Sequence, residues 1–180
     1  MGAFDRAVFT WVNHWPESFT PFLRFLSAGI NSWTVRIALA ALLAWLIWRG
    51  GKARVAGILA MVAWPIANGL TDVFKHLMPD PRPFQVMQGV ILRVGWSDSA
   101  GTASAHAANM AAVATVFAYF LWPWGGLWAV LAVLVGISRV FVGAHFPHQV
   151  LLGWACGCAA GYAVSAGYDR LVLMRKKPAD

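Results

Sequence analysis

Charged residues punctuate the chain at intervals, and the stretches between them are apolar and of helical length. A formal charge inside hydrocarbon is costly and usually marks a helix end or a working site, so these intervals divide the sequence. Five spanning helices are predicted: Val35 to Trp48, Val55 to Val73, Ala105 to Leu121, Leu127 to Phe141 and His148 to Ala166. Several fall short of the ~20 apolar residues of a full span. Together they describe an all-α fold, an integral membrane helical bundle. No formal charge occurs between His106 and Ser138, and Trp122-Pro123-Trp124-Gly125-Gly126 divides that stretch into a tight helical hairpin. The first thirty residues differ. Phe4, Val8, Phe9, Trp11 and Val12 are interleaved with Asp5, Arg6, Asn13 and His14, the pattern of a helix lying in the membrane interface. A second short stretch, Phe19 to Ile30, carries Arg24 among aromatics and leads into the first span. No apolar core of signal-peptide length precedes Asp5, so the N-terminus is expected to be retained. The chain is read as a single membrane domain, 1–180, with an interfacial amphipathic segment at 1–30, a transmembrane bundle at 34–173 and a basic cytoplasmic tail at 174–180.

Composition sharpens the choice of solvent. Of the 180 residues, 59% are apolar and 12% charged, against roughly 25% charged in a soluble domain, which argues against a water-soluble globule. The net charge of +7 suits anionic lipid, phosphate ligands or nucleic acid, and does not choose among them. Cys156 and Cys158 lie two apart in an apolar run and support neither a disulfide framework nor a zinc site. Trp45, Trp48, Trp122, Trp124 and Trp128 gather near helix ends, as an interfacial belt does. One side of the predicted bundle holds Arg49, Lys52, Arg54, Arg170, Arg175, Lys176 and Lys177. The other holds Arg6, Arg24, Arg36, Lys75, Arg82, Arg93 and Arg139. The count is a tie that breaks only if Lys75, Arg82 and Arg139 are held in a binding site. The first loop and the C-terminus then face the cytoplasm and the Lys75 side faces outward.

The remaining polar residues cluster at helix ends on that outer side. Lys75-His76-Leu77-Met78-Pro79-Asp80-Pro81-Arg82-Pro83 closes the second helix, and its three prolines force an extended turn that brings a second cation back toward the first. Thr102-Ala103-Ser104-Ala105-His106 opens the third, with Ser104 placed to cap and the helix dipole favouring an anion. Ser138-Arg139 ends the fourth, and His145-Phe146-Pro147-His148-Gln149 begins the fifth. Three cations, a helix N-terminus and two histidines suit a tetrahedral phosphate better than a carboxylate or a metal. One histidine is then available to attack phosphorus and the other to protonate the leaving oxygen. Taken singly, Lys75 reads as a snorkelling helix-end lysine, His106 as a cap or interface residue, and His145 as a packed loop histidine. A metal site built from His106, His145 and His148 is disfavoured by the nearby cations. His14 and His76 fit no pattern and read as interfacial. Arg93 and Asp98 fall in a Gly/Ser-rich outer loop, either as headgroup contacts or as solvated positions. Asn109, one turn into the third helix, is placed to join helices by hydrogen bonds.

The three strings together resemble the three-part signature of the type 2 phosphatidic acid phosphatase superfamily. Lys75 precedes Arg82-Pro83 with six residues between, Ser104-Ala105-His106 follows, and Ser138-Arg139 stands five residues before His145. The resemblance covers about residues 20–170, and it is specific through order and spacing jointly. It implies a membrane helical bundle that dephosphorylates a lipid without metal or cofactor, through a phosphohistidine intermediate. By that resemblance Lys75, Arg82, Arg139, Ser104 and the amide of Ala105 bind phosphate, His145 is the nucleophile and His106 is the acid. Two departures stand out. The second element has Ala103 and Ala105 where the family has Pro and Gly. The third has Gln149 where the family has Asp, which makes Ala144 to Gln149 similar to the corresponding stretch of glucose-6-phosphatases.

The implied reaction is hydrolysis of undecaprenyl diphosphate to its monophosphate in a bacterial cytoplasmic membrane, with the site facing the periplasm or exterior. Phosphatidylglycerophosphate, phosphatidate and lipid A phosphate are alternative substrates, and phosphoryl transfer an alternative to hydrolysis. The partners are a lipid substrate and the bilayer, without nucleic acid; oligomeric state is left open. An anion-binding transporter is the non-enzymatic alternative, against which five short helices without an inverted repeat argue. The Gln149 carbonyl can accept the ring N–H of His145 and fix its tautomer, but it lacks a negative charge. Gln149→Ala is therefore expected to cut turnover strongly with little change in phosphate affinity. Unchanged turnover in a steady-state assay removes Gln149 from the mechanism.

Overall fold

The computed structural model describes residues 2–29 and 32–176, the side chains of Arg175 and Lys176 excepted. Ile30, in the predicted lead-in stretch, and residues 177–180 of the predicted basic tail lie outside the described residues. Among the described residues all regular structure is helical. Helices α1 (Ala3–Asn13) and α2 (Thr20–Ala28) are joined through a 3-10 turn at Glu17–Phe19. Then come α3 (Trp33–Arg49), α4 (Gly51–Leu77), the short α5 (Pro83–Val86), α6 (Ala105–Phe120), α7 (Trp124–Phe141) and α8 (Pro147–Lys176).

The five principal helices, α3, α4, α6, α7 and α8, occupy the five stretches predicted as spans. The largest difference is α8, which runs on past Ala166 to Lys176. Asp169 and Arg170 end the apolar run without ending the helix, because backbone hydrogen bonding continues wherever the side chains can reach water. Asp169 is held there by the Tyr119 hydroxyl at 2.8 Å. Three helices are long and apolar enough by themselves to cross a membrane: α4 with 27 residues, α7 with 18, and 28 residues of α8. Helix α6, with 16 residues, is about 24 Å long at 1.5 Å per residue, short of the roughly 30 Å hydrocarbon core. Its position explains why it can be short. It packs against α8, α7 and α4, which surround it with protein rather than lipid.

Small residues make that packing close. Ala107, Ala108, Ala111 and Ala112 of α6 are buried, and they face Gly153, Gly157 and Gly161 of α8. A Cβ at these glycines would lie 2.5 Å from the Ser104 oxygen, 2.1 Å from the Ala108 oxygen and 2.7 Å from the Ala112 oxygen. The two backbones therefore touch along a four-residue repeat, as small residues allow in membrane helix pairs.

The N-terminal helices close the end of the bundle where α7 finishes and α8 begins. Helix α1 turns Phe9 and Val12 inward and leaves Phe4 and Trp11 exposed. Asn13, read from the sequence as part of a polar face, is fully buried. Its amide donates to the carbonyls of Phe141 at 2.8 Å and Ile91 at 3.0 Å and accepts from the Ile91 N–H at 2.9 Å. Phe9, Val12 and Leu23 pack with Val140, Phe141, Val142, Ala144 and Phe146 in one apolar cluster, which fixes the segment after α7. Gly157→Val should separate α6 from α8 and cost about 1–3 kcal/mol, the range for overpacking a core. A drop in the thermal midpoint in detergent measures this, and an unchanged midpoint means the contact is not limiting.

Candidate active site

A cavity of about 420 Å³ opens at the end of the bundle where α4 and α7 finish and α6 and α8 begin, walled by Lys75, Arg82, Ala105, His106, Arg139 and His145. Four segments deliver these residues. Lys75 ends α4, Arg82 precedes α5, Ala105 and His106 open α6, and Arg139 lies in the last turn of α7 with His145 four residues beyond the helix. Two further candidates, Ser104 and Gln149, are fully buried and do not line the cavity. Ser104 caps α6, its hydroxyl accepting the Ala107 N–H at 3.5 Å. Its own N–H donates to the Gln149 carbonyl at 2.9 Å, binding the start of α6 to the start of α8.

The tautomer of His145 follows from its neighbours. Nδ1 lies 3.1 Å from the Gly101 carbonyl and 3.3 Å from Gln149 Oε1, while Nε2 lies 3.2 Å from Arg82 Nη1. A carbonyl only accepts and a guanidinium only donates, so the proton is on Nδ1 and the lone pair on Nε2. Burial holds the imidazole well below the usual histidine range, and the guanidiniums of Arg139 and Arg82 lower it further. The Gly101 carbonyl and Gln149 act in the opposite direction without reversing the shift. His145 is thus a neutral imidazole at neutral pH with its lone pair on Nε2, the form a nucleophile requires.

The cations are held mostly by neutral oxygens. Arg82 Nε donates to the Ser99 carbonyl at 2.8 Å, Nη2 to Ser99 Oγ at 2.9 Å and Nη1 to the Ala144 carbonyl at 3.3 Å. Arg139 Nη1 donates to Ser27 Oγ and, at 3.4 Å, to the Ser27 carbonyl, which brings α2 to the site. The Nε–H of this buried arginine has no hydrogen-bond partner among the described residues. Among the described residues Lys75 alone of these cations has a carboxylate, Asp72, at 2.9 Å. A buried donor left without a partner is costly, and a tetrahedral anion in the cavity is a ligand whose charge and number of acceptors match this wall.

Several residues that matter here carry no signal in the sequence. Arg24, counted above among the outer-side cations, lines the cavity from α2, is exposed, and makes no hydrogen bond or ion pair among the described residues. The Arg93 side chain is largely buried rather than solvated. It donates to the carbonyls of Asn13 at 2.9 Å and Phe141 at 2.8 Å, pairs with Glu17 at 2.5 Å and stacks 4.1 Å from the Phe141 ring. Asp98 accepts from the Trp96 indole at 2.9 Å. His148 sits between two carboxylates, with Nδ1 2.7 Å from Asp5 and Nε2 2.8 Å from Asp80. The partnerships of Arg93 and His148 are not encoded by local spacing, since each joins segments far apart in the chain.

Residues 55–172 match the family model described as the PAP2 superfamily. An undecaprenyl-diphosphatase of Sulfolobus acidocaldarius is 34% identical over 108 residues, 59% of this chain and 52% of that protein. The chain spans about half the length of the curated relatives it matches. Among solved structures, Aquifex aeolicus LpxE superposes with a TM-score of 0.76 at 23% identity, covering 93% of this chain and 97% of that one. A PAP2-type phosphatidylglycerolphosphate phosphatase of Bacillus subtilis superposes with a TM-score of 0.70 at 22% identity, covering 94% of this chain and 86% of that one. At these identities the two structures establish the shared fold.

Gly101 is the tightest point behind His145. A Cβ there would lie 2.8 Å from Gln149 Oε1, 2.9 Å from its Nε2 and 3.0 Å from Arg82 Cγ. Gly101→Ala should displace both side chains from His145 and lower kcat about a hundredfold, as small misplacements of reacting groups do. Steady-state kinetics with a thermal-shift control measures it, and a fully active, stable variant would show that this contact can relax without consequence.

Proposed function

This chain is a member of the PAP2 superfamily, and from that premise we propose that it is a membrane lipid phosphatase acting through a phosphohistidine. The observation that carries the proposal is one cavity wall holding a neutral His145, His106 and the cations Lys75, Arg82 and Arg139. In the first step the Nε2 lone pair of His145 attacks phosphorus, and the bond from phosphorus to the leaving oxygen breaks. The electron pair goes to that oxygen, which takes a proton from His106. In the second, water attacks the phosphoryl group and gives a proton to His106. The N–P bond then breaks, its electron pair returns to Nε2, and inorganic phosphate leaves. Lys75, Arg82, Arg139 and the amide of Ala105 hold the phosphoryl oxygens, and Ser104 supports that amide by capping α6. The charge that a metal would otherwise neutralise is met by cations, so the reaction is proposed to need none.

For substrate we propose undecaprenyl diphosphate, hydrolysed to the monophosphate. The name of the Sulfolobus relative supports this, and so does Arg24, a further cation on the cavity wall with no partner among the described residues, suited to a second phosphate. Phosphatidylglycerophosphate, phosphatidate and lipid A phosphate carry fewer phosphates at one point and leave Arg24 unused. The orientation with the site at the periplasmic or exterior face of a bacterial cytoplasmic membrane is also a proposal. It gains support because Lys75, Arg82, Arg139, Arg24 and Arg93 are engaged at the cavity or in the loop clamp. That leaves Arg6 and Arg36 on the outer side against seven basic residues on the other.

Purified full-length protein in detergent with a chelator should release phosphate from undecaprenyl diphosphate faster than from phosphatidate or phosphatidylglycerophosphate. His145→Ala should abolish release, and release that survives this change would sink the phosphohistidine mechanism. No release from any lipid would favour the anion-binding transporter. Arg24→Ala should lower the preference for diphosphate over phosphatidate about tenfold, the size of one lost charge-assisted hydrogen bond. An unchanged preference would remove Arg24 from substrate selection.

A further inference from the structure

We propose that Asp80 is a positioning residue that acts on His145 through Gln149, orienting the amide and supplying the negative charge that the Gln side chain lacks. The inference rests on the reading of His145 as nucleophile and concerns what stands behind it. The Gln149 amide is fully committed. Its Oε1 accepts the Phe146 N–H at 3.1 Å and faces His145 Nδ1 at 3.3 Å. Its Nε2 donates to Asp80 Oδ2 at 2.6 Å and to the Pro81 carbonyl at 2.9 Å. Turning the amide over would set its oxygen against the Asp80 carboxylate and the Pro81 carbonyl, and its N–H groups against the Phe146 N–H and the His145 Nδ1–H. Asp80 and Pro81 thus decide that an oxygen faces the nucleophile.

Asp80 is itself held on every side. Its N–H donates to Thr102 Oγ1 at 3.0 Å and its carbonyl accepts the Gly101 N–H at 2.7 Å. Its carboxylate faces His148 Nε2 at 2.8 Å. His148 is anchored in turn to Asp5 of α1, through the ring at 2.7 Å and the backbone N–H at 3.0 Å. The charged groups around His145 therefore fall on two sides, with Arg82 and Arg139 on one and Asp80, with His148 and Asp5 behind it, on the other.

The timing of charge makes this pairing useful. As Nε2 gives its lone pair to phosphorus the ring becomes positive, beside two guanidiniums that oppose it. The Nδ1–H then becomes a stronger donor, and an oxygen polarised by a carboxylate gains value in the transition state relative to the ground state. The effect should therefore appear in kcat more than in KM.

The test uses full-length protein in detergent with undecaprenyl diphosphate and four forms: wild type, Asp80→Asn, Gln149→Asp, and the two combined. Asp80→Asn keeps an acceptor and removes the charge, so kcat should fall about 10–100-fold with KM nearly unchanged, the usual range for a residue that acts through another. Gln149→Asp alone sets two carboxylates against each other and should also lose kcat. The double variant moves the charge one residue closer to His145 and should recover to within about threefold of wild type, where independent structural damage would multiply. Losses that multiply in the double variant overturn the proposal, as does full kcat in Asp80→Asn. If Asp80→Asn does not fold, Asp80→Ser takes its place. Gln149→Asp remains a separate arm, in which kcat at or above wild type overturns the proposal. A wild-type protein inactive on every lipid would instead refute the phosphatase reading itself.

Discussion

Lys75, Arg82, Arg139 and Arg24 line one small cavity, and like charges at such range repel strongly where protein replaces water. Among the described residues only Lys75 of these four has a carboxylate in contact; the two buried arginines are held by serine hydroxyls and backbone carbonyls. Neutral acceptors satisfy the hydrogen bonds without cancelling the charge, so the cavity keeps a positive field. Burial keeps His145 unprotonated, and the same field, through Arg139 and Arg82, adds to that effect. In our reading one electrostatic arrangement thus does two jobs, attracting phosphate and preparing the nucleophile that attacks it.

Holding mutually repelling groups at fixed positions requires a stiff frame, and the frame comes from helix contact. The glycine stripe of α8 against α6 sets the start of α6 beside the start of α8, where Ser104 and Gln149 are joined backbone to backbone. The segment between α7 and α8 is pinned from the other side. The backbone N–H groups of Ala144 and His145 both donate to the Arg139 carbonyl, and Asn13 and Arg93 grip the Phe141 carbonyl. The N-terminal helices consequently belong to the site's scaffold: α1 brings Asn13 and Asp5, and α2 brings Ser27 and Arg24.

Much of this was legible in the chain. The charge-free stretches located the five principal helices, because burying a charge in hydrocarbon is expensive enough to shape the whole pattern. The order and spacing of Lys75, Arg82, His106, Arg139 and His145 marked them as a set, and all five meet on one cavity wall. The helix ends were less legible. Helix α8 continues past Asp169 because a charge terminates an apolar run but not a backbone hydrogen-bond ladder. The shortness of α6 made sense only once its protein surroundings were known.

Local spacing and hydropathy are properties of neighbouring residues, so the sequence by itself determined the solvent, the helices and the residue types at each helix end. Long-range partnership is a property of the packed bundle. Nothing near Arg93 in the sequence distinguishes it from a solvated loop arginine, and nothing near Asp80 indicates a bond to Gln149 across 69 positions. Tertiary structure decided that Arg93 is a clamp, that Arg24 reaches the cavity, that Gly101 leaves room behind His145, and that a carboxylate stands behind Gln149. Each of these depends on which backbones approach closely enough to exclude a side chain or complete a hydrogen bond, and that distance is set only when all the helices are packed together.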